Sequence, residues 1–474
     1  MKNKAVSGFF WKFGEQISSQ LVTFILSIVL ARLLTPKDYG VVALVNIFIT
    51  IANVFVTSGF GTALIQKKSP DETDFSTVFY MSEITSILAY LVIFLIAPFV
   101  SKYYDNSELT PILRVFALTL PLSAFNGIQQ AYISKHLMFK KVFISTTISA
   151  ILSGIIGVVM AYFGFGVWAL VGQSLSNVII VSIVLFSEIK WYPKNKFSWE
   201  AGKPLLSFGW KMLATDLLAT FFNQLRSLLL GKAYTTSDLA YYNRGLRFPE
   251  LISDNVNGTV SSVLFPVLAN CGDDHEKIKE RLRRAIKVST FVLMPLLFGM
   301  MGTTRQIVLL LLTDKWAKVI PYMQILCMSC IFDSVSNENI QALKAIGRSD
   351  SLLKLEFIKK PLYLILLLIG LRINVFTLAV TQVIYNILAV WINMAPNRKF
   401  LGYSFKEQIQ DMVPALINSS IMFLIVYSVG EALKLHLLLT FIIQVLIGVA
   451  VYLIIAIVFK MSALKDILEM LKRD

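Results

Sequence analysis

The chain has 474 residues, of which 56% are hydrophobic and only 15% charged, and its mean hydropathy is +0.69. This composition excludes an ordinary soluble domain of similar length. The net charge of +15 would suit a nucleic-acid-binding protein, but in so apolar a chain basic residues are expected in the cytoplasmic loops of a membrane protein, so no nucleic-acid partner is predicted.

Long apolar runs follow one another along the chain, each of about 18 to 25 residues, which is enough for a helix to cross a hydrocarbon layer of ~30 Å. The runs are continuous and do not alternate as the strands of a membrane β-barrel do. The predicted spans are 9–34, 41–65, 78–101, 111–133, 143–163, 167–187, 206–231, 244–270, 286–303, 319–343, 355–371, 375–394, 412–430 and 436–459. The predicted fold class is therefore all-α integral membrane, with about 14 transmembrane helices.

The segments outside the spans predict the orientation of the chain in the membrane and the structure of its loops and tail. Lys and Arg are concentrated in the loops on the side of the N-terminus, which predicts that both termini are cytoplasmic. The run 273–284 is interpreted as a short solvated helix in a loop, and the tail from Lys460 to Asp474 as an amphipathic helix at the membrane surface. The stretch from Thr303 to Trp316 is either loop or an interfacial extension.

The first and second sets of six spans repeat a sequence pattern at an offset of about 200 to 210 residues. In the same order along the chain, the pairs are Trp11-Lys12 with Trp210-Lys211, Thr35-Pro36-Lys37-Asp38-Tyr39 with Thr236-Ser237-Asp238 and Tyr241, Pro111 with Pro321, Gln130-Ala131 with Gln341-Ala342, and Val167, Gln173 and Asn177 with Val375, Gln382 and Asn386. Because six is an even number, the repeats run parallel, as in transporters that rock two lobes around a central cavity. The predicted domains are residues 1–198, residues 199–400, and residues 401–474 with two C-terminal helices and the tail.

Two segments carry a resemblance to a known family. The stretch LLLGKAYTTSDLAYYNRGLRFPELISDNVNGTVSSVLFPVLA and the opening WKFGEQISSQLVTFILSIVLARLLTPKDYGVVALV resemble the polysaccharide transport family, the Wzx-type flippases of the multidrug/oligosaccharidyl-lipid/polysaccharide exporter superfamily. The resemblance covers the whole chain and is most specific around Tyr241-Tyr242-Asn243-Arg244. It implies two six-helix lobes in a V, followed by two further helices.

The resemblance also implies a function and its partners. The family moves undecaprenyl-diphosphate-linked oligosaccharides across the bacterial cytoplasmic membrane for surface polysaccharide biosynthesis, such as capsule or lipopolysaccharide. The implied partners are the lipid-linked oligosaccharide, membrane lipid and the polysaccharide polymerase machinery. The alternatives are a cation-coupled drug exporter or a lipid II flippase of the same superfamily. A membrane glycosyltransferase or ligase is disfavoured because it needs large loops with acid and base groups, so we expect no enzymatic activity.

Basic residues within the predicted spans outnumber acidic ones, which favours an anionic substrate. Guanidinium groups bind phosphate oxygens with two hydrogen bonds. The candidates for a cationic lumen that holds the diphosphate are Arg226, Arg244, Arg247, Lys12, Lys211, Arg32 and Arg114. The alternatives are a structural ion pair for Arg226, snorkelling to the interface for Arg244 and Arg247, and interfacial anchoring beside tryptophan for Lys12 and Lys211.

Acidic residues within spans are the candidates for coupling to a proton or sodium gradient, and the chosen set is Asp216, Asp333, Glu338 and Glu83. The polar run DSVSNENIQ, which contains Asp333 and Glu338, predicts a water-lined helix face. Cys327 and Cys330 form a CxxC in the same predicted helix, and we interpret them as buried thiols. The three cysteines and three histidines show no spacing typical of metal ligands, so no metal or cofactor is predicted.

Overall fold

The computed structural model describes residues 2–57, 64, 67, 70–189, 191–194, 196–272, 274–433 and 435–471, and this part of the chain consists of α-helices and their connections. The helices, numbered here in chain order, are α1 (Lys2–Leu33), α2 (Pro36–Thr57), α3 (Glu72–Tyr103), α4 (Leu109–Phe116), α5 (Thr119–His136), α6 (Phe139–Tyr162), α7 (Val167–Glu188), α8 (Trp199–Ala233), α9 (Thr236–Ala269), α10 (His275–Gly302), α11 (Thr304–Leu311), α12 (Val319–Cys330), α13 (Asp333–Ala345), α14 (Ser349–Ile373), α15 (Val375–Leu401), α16 (Phe405–Ala432), α17 (Leu437–Val458) and α18 (Ser462–Leu471). A 3₁₀ turn covers Asp314–Trp316.

Twelve helical stretches of the described chain are long and apolar enough to cross a membrane. Two of them, Leu109–His136 and Val319–Ala345, each consist of two successive helices. The two remaining predicted spans are present as α9 and α14, which are long enough to cross but carry more charged residues than the twelve. The predicted all-α membrane fold is confirmed, and the number of spans is approximately the predicted 14.

The helices divide into two compact units, one up to Ala240 and one from Tyr241 onward. In the first unit α6 packs against α1 and α7, and α8 packs against α2 and α3. In the second unit α10 packs against α16, and α15 packs against α12, α13 and α14. The division of the lobes at residues 198 and 400 comes from the internal repeat and stays a prediction.

The same turn joins α1 to α2 and α8 to α9. Thr35 Oγ1 donates to Asp38 Oδ2 at 2.6 Å and the Asp38 amide donates back to Thr35 Oγ1 at 3.3 Å. Thr235 and Asp238 make the same two hydrogen bonds at 2.7 and 3.1 Å. Each pair satisfies backbone donors that a helix start leaves without partners. The structure therefore matches Thr35 with Thr235, one residue before the Thr236 chosen from the sequence.

Of the charged run 273–284, residues 275–284 form the first turns of α10, a continuous 28-residue helix, and residue 273 lies outside the described residues. The interpretation of the run as a separate loop helix is therefore wrong for residues 275–284. Near this end of α10, Arg283 Nε and Nη2 donate to both carboxylate oxygens of Asp411 on α16, at 2.7 and 3.0 Å. Lys287 lies 3.3 Å from the same carboxylate and the Tyr403 hydroxyl donates to it at 2.8 Å. These pairs fasten the charged end of α10 to α16.

The predicted amphipathic tail is present as α18, and it packs against α10. Arg284 on α10 lies 3.1 Å from Asp466 on α18, and Ala463 is buried. The two thiols Cys327 and Cys330 are also buried, as predicted.

Candidate functional site

The predicted cations of the first unit lie on three helices. Arg32 ends α1 and is exposed, as is Lys211 on α8, whereas Arg226 is half-buried further along α8. Arg114 on α4 is engaged with α3: its guanidinium carbon lies 4.0 Å from the centre of the Phe94 ring, and its Nε donates to the Phe94 carbonyl at 3.3 Å. This double contact makes Arg114 a packing residue in the state described.

The predicted cations of the second unit, Arg244 and Arg247, lie on adjacent turns of α9. Arg247 is exposed. Arg244 is half-buried, with its guanidinium carbon 5.5 Å from the centre of the Trp316 ring. This cation–π contact places the guanidinium against the aromatic ring at the end of the 3₁₀ turn.

The side chain of Lys12 lies outside the described residues. The other six predicted cations are distributed over α1, α4, α8 and α9, and they belong to both units. Their convergence on one lumen stays a prediction.

The acidic candidates differ in their surroundings. Asp216 and Glu83 are half-buried, and Glu83 Oε2 accepts a hydrogen bond from Ser86 one turn away at 3.3 Å. Asp333 accepts a hydrogen bond from the Ser253 hydroxyl at 2.8 Å, which joins α13 to α9. Glu83 and Asp333 therefore already accept hydrogen bonds from serine hydroxyls.

Glu338 is the exception, because it is fully buried on α13 and neither carboxylate oxygen has a hydrogen-bond partner among the described atoms. The hydroxyl of Ser289 on α10 lies beside it. On the neighbouring face Asn397 of α15 donates to Asn339 at 2.7 Å, and Asn393 donates to Ser336 at 2.6 Å. A carboxylate in this buried polar layer needs a proton or a cation to lower the cost of its burial.

An apolar groove runs along the last two long helices of the second unit. It has a volume of about 420 Å³ and lies between α10, α16 and α17. Its lining includes the apolar residues Val292, Pro295, Leu296, Met422, Val426, Val445, Val449 and Leu453. Gly448 lines the groove, and Gly302 directly precedes the lining residue Thr303. A Cβ atom at Gly302 would lie 3.0 Å from a methyl carbon of Val426, and one at Gly448 would lie 3.1 Å from the other. The glycines therefore allow α10 and α17 to approach α16 closely.

A polar pocket of about 380 Å³ adjoins the groove, and Gln444 lines both. Gln444 is buried, and its Nε2 donates to the carbonyls of Val426 at 2.9 Å and Gly302 at 3.3 Å, which ties three helices together at the boundary. The pocket contains Arg305 but also Asp314 and Glu431, and Glu431 lies 4.0 Å from Arg305. Because its two carboxylates outnumber its one guanidinium, this pocket does not suit a diphosphate.

Reasoning from the sequence selected charged residues and missed both of these features. The groove is built from apolar residues and glycines, which look like any lipid-facing helix until the helices are packed together. The signal that could have indicated the boundary is Gln444, a lone amide in the most apolar of the predicted spans.

The sequence matches a family model described as "Polysaccharide biosynthesis protein" over residues 29–321. Among curated proteins, the chain is 23% identical over 442 residues to the lipopolysaccharide biosynthesis protein WzxC of Escherichia coli (strain K12), covering 92% of this chain and 89% of that protein. It is 24% identical over 339 residues to the succinoglycan biosynthesis transport protein ExoT of Rhizobium meliloti (strain 1021), covering 71% and 69%. It is 22% identical over 353 residues to the teichuronic acid biosynthesis protein TuaB of Bacillus subtilis (strain 168), covering 73% and 72%.

Solved structures with the same fold include lipid II flippase MurJ in an inward closed conformation, with a TM-score of 0.78, 16% identity, and coverage of 95% of this chain and 98% of that chain. An inward-facing multidrug resistance MATE family transporter of the MOP superfamily gives a TM-score of 0.60 at 17% identity, covering 81% and 94%. At these identities the two likenesses show a shared fold.

Proposed function

Because this chain belongs to the polysaccharide biosynthesis protein family, we propose that it is a flippase that moves an undecaprenyl-diphosphate-linked oligosaccharide across the bacterial cytoplasmic membrane by alternating access. The relatives support this reading, since their names place them in lipopolysaccharide, succinoglycan and teichuronic acid biosynthesis, and one is described as a transport protein. The likeness to a lipid II flippase structure fits the same kind of movement.

The observation that carries the proposal is the apolar groove between α10, α16 and α17. A polyprenyl carrier has a long hydrocarbon tail, and a tail held in a groove of the protein moves with the protein when its helices rearrange. The groove has almost no polar lining apart from Gln444 and Thr303, and it lies on helices that cross the membrane. Burial of apolar surface there provides binding energy that does not depend on the sugar.

The headgroup needs a different environment. The polar pocket beside the groove is unsuitable for a diphosphate, so we propose that the diphosphate is held by cations elsewhere in the transport path. Arg226, half-buried within the membrane-spanning helix α8, is the leading candidate. Arg244 and Arg247 are the next, since two guanidinium groups one turn apart can share one diphosphate.

The proposed orientation places both termini in the cytoplasm, because the loops on their side are rich in Lys and Arg. The proposed partners are the lipid-linked oligosaccharide, the surrounding lipid, and the polymerase that joins the delivered units. Transport without covalent chemistry is the proposed activity. Among the alternatives, a lipid II flippase differs only in its cargo, whereas a drug exporter for organic cations would need carboxylates that face its cargo.

A matched pair of variants on α17 tests the function. Val445 lines the groove, whereas the adjacent Leu446 is outside its lining and 64% exposed. In a strain that lacks the gene, we expect loss of the surface polymer and accumulation of its lipid-linked unit inside the cell. The wild-type gene and Leu446→Trp should restore the polymer, whereas Val445→Trp, which fills the groove, should restore little of it.

Two results would contradict the proposal. If the deletion strain accumulates no lipid-linked unit, the protein is not the flippase for that polymer. If Val445→Trp, present in the membrane at the wild-type level, restores the polymer as well as Leu446→Trp does, the groove does not hold the carrier.

A further inference from the structure

The first unit contains a second cavity, of about 460 Å³, whose lining differs from that of the groove. It is formed by residues from the middle of α2, α6 and α7, together with parts of α1, α4 and α5. We call it the amide cavity, after the side chains of Asn46, Asn53, Gln173 and Asn177 that line it. Its volume lies within the range of ~300–1,000 Å³ that is usual for small-molecule sites.

The amide cavity is polar but uncharged, because no Asp, Glu, Lys or Arg is among the described residues that line it. Hydroxyl groups of serine and threonine, including that of Ser153, complement the four amides, and Phe116 contributes an aromatic ring. Amides and hydroxyls each offer both donors and acceptors. Polar side chains in the middle of membrane helices face a wet cavity, a ligand or a polar group of a neighbouring helix, because hydrocarbon cannot satisfy them.

Part of this polar surface has no partner within the protein. The Oδ1 atom of Asn53 is buried and accepts no hydrogen bond from the described atoms. Asn177, in contrast, is held in place, since its Nδ2 lies 3.4 Å from Ser149 Oγ and 3.2 Å from Ser153 Oγ. The cavity thus combines one amide held by neighbouring hydroxyls, Asn177, with another, Asn53, whose Oδ1 accepts no hydrogen bond from the described atoms.

The backbone of α6 sets the position of Gln173. A Cβ atom at Gly157 would lie 2.8 Å from the Cβ of Gln173, so glycine at 157 allows α6 and α7 to pack closely there. One turn earlier, a Cβ at Gly154 would lie 2.2 Å from a methyl carbon of Leu26, which also lines the cavity. The two glycines therefore allow α6 to pack closely against α1 and α7 at the wall of the amide cavity.

We propose that the amide cavity binds the uncharged sugar part of the cargo, so that the glycan and the diphosphate are recognised at separate places. This inference rests on the proposed function. Sugar hydroxyls need paired donors and acceptors, which amides supply, and the apolar face of a sugar ring can pack on an aromatic ring such as Phe116. A diphosphate would find no cation in the lining, and an organic cation would find no carboxylate.

Binding measurements on the full-length protein in lipid nanodiscs test the proposal. The probes are the soluble oligosaccharide released by mild acid from the lipid-linked unit of the deletion strain, undecaprenyl diphosphate, and tetraphenylphosphonium as an organic cation. The variants are Asn53→Leu and Gln173→Leu, with Gln382→Leu as the matched control from the second unit. Gly157→Ala, which displaces Gln173 without removing its amide, is the second test of the same wall.

We expect the released oligosaccharide to bind about 3- to 10-fold more weakly to Asn53→Leu and to Gln173→Leu than to the wild type. A decrease of this size corresponds to the loss of one or two hydrogen bonds. Its affinity for Gln382→Leu, and the affinity of all variants for undecaprenyl diphosphate, should be unchanged. A diazirine derivative of the oligosaccharide should crosslink to peptides of α2 or α7 in the wild type, a readout that needs no variant to fold.

The inference is overturned if oligosaccharide affinity is the same in the amide variants, if the crosslinks lie outside the cavity helices, or if tetraphenylphosphonium binds and is lost with Gln173→Leu. Its failure is distinct from failure of the proposed function. A wild type that restores surface polymer and binds undecaprenyl diphosphate remains a flippase even when its glycan site is elsewhere.

Discussion

The two units of the chain use paired amide residues in different ways. In α7, Gln173 and Asn177 line a cavity, and Asn177 contacts serine hydroxyls of α6. At the positions that the repeat pairs with them in α15, Gln382 donates to Asn386 at 2.9 Å, and Asn386 donates to the Ser329 carbonyl at 2.8 Å. The same two residue types at the same spacing serve a cavity in one unit and join helices in the other.

The cavities of the two units also differ, in the polarity of the residues that line them. The first unit has an uncharged polar cavity, whereas the second has an apolar groove and, apart from it, a buried layer with one carboxylate. A shared helical plan therefore does not imply a shared chemistry, because a few side chains at equivalent positions decide what each half can bind. The difference also suggests a division of labour between sugar, tail and coupling.

Substitution of Arg226 should have the largest effect, a loss of polymer export. If the amide cavity binds only uncharged sugar, the diphosphate needs a cation outside it, and Arg226→Ala should reduce export about 10- to 100-fold through the loss of a charged hydrogen bond. Arg226→Lys should retain part of the activity because the charge remains. Export is measured as surface polymer restored to the deletion strain, with the protein level in the membrane as the control. Full restoration by both variants would show that Arg226 is not a headgroup contact.

Substitution of Glu338 should have a smaller effect, and the quantity that it changes is the response of transport to an ion gradient. A fully buried carboxylate that makes no ion pair among the described residues can take up a proton or a small cation, so the wild type should transport several-fold faster in vesicles with an imposed proton or sodium gradient than without one. Glu338→Gln should keep the slow rate and lose the response to the gradient. Glu83→Gln, at a half-buried acid that already accepts from Ser86, is the matched control. A variant at position 338 that still responds to the gradient would assign coupling to another group.

Substitutions of the paired residues Gln173 and Gln382 should have the smallest effects. They test whether the two amides have different roles in the two units. Gln382→Leu removes a hydrogen bond and leaves Asn386 Oδ1 without its donor, so it should lower the stability of the second unit by about 1 kcal/mol. Gln173→Leu should leave stability nearly unchanged, since no hydrogen bond between Gln173 and another described residue is lost. Thermal unfolding of the purified proteins in detergent compares the two. Equal losses of stability would mean that both amides are structural.

The fold could be predicted largely from the sequence, because lipid forces each span to be a long apolar run. The spans α9 and α14 carry more charged residues than the other twelve. They can still be predicted from the sequence, because apolar residues flank the charged ones. The site was harder to predict. Arg114 has a position in a span that suggests a lumen, yet its contacts are with Phe94, and only packing decides this.

The reverse holds for neutral residues. Asn53 and Gln173 carry no charge, so nothing in the sequence separates them from the many polar residues that join helices, and their role depends on a cavity that several helices form together. Glu338 was chosen from the sequence together with three other acids, and its complete burial sets it apart from Asp216, Asp333 and Glu83.

The repeated threonine–aspartate turn has a consequence for biogenesis. Its hydrogen bonds join residues only three apart, in both α1–α2 and α8–α9, so each turn can form as soon as its own residues have been synthesised. No contact with a later part of the chain is required for this step. The helices on either side of the first turn find their main packing partners later in the chain, α1 with α6 and α2 with α8. The local turn can therefore form early, whereas the packing of the helices that it joins has to wait until α6 and α8 have been inserted.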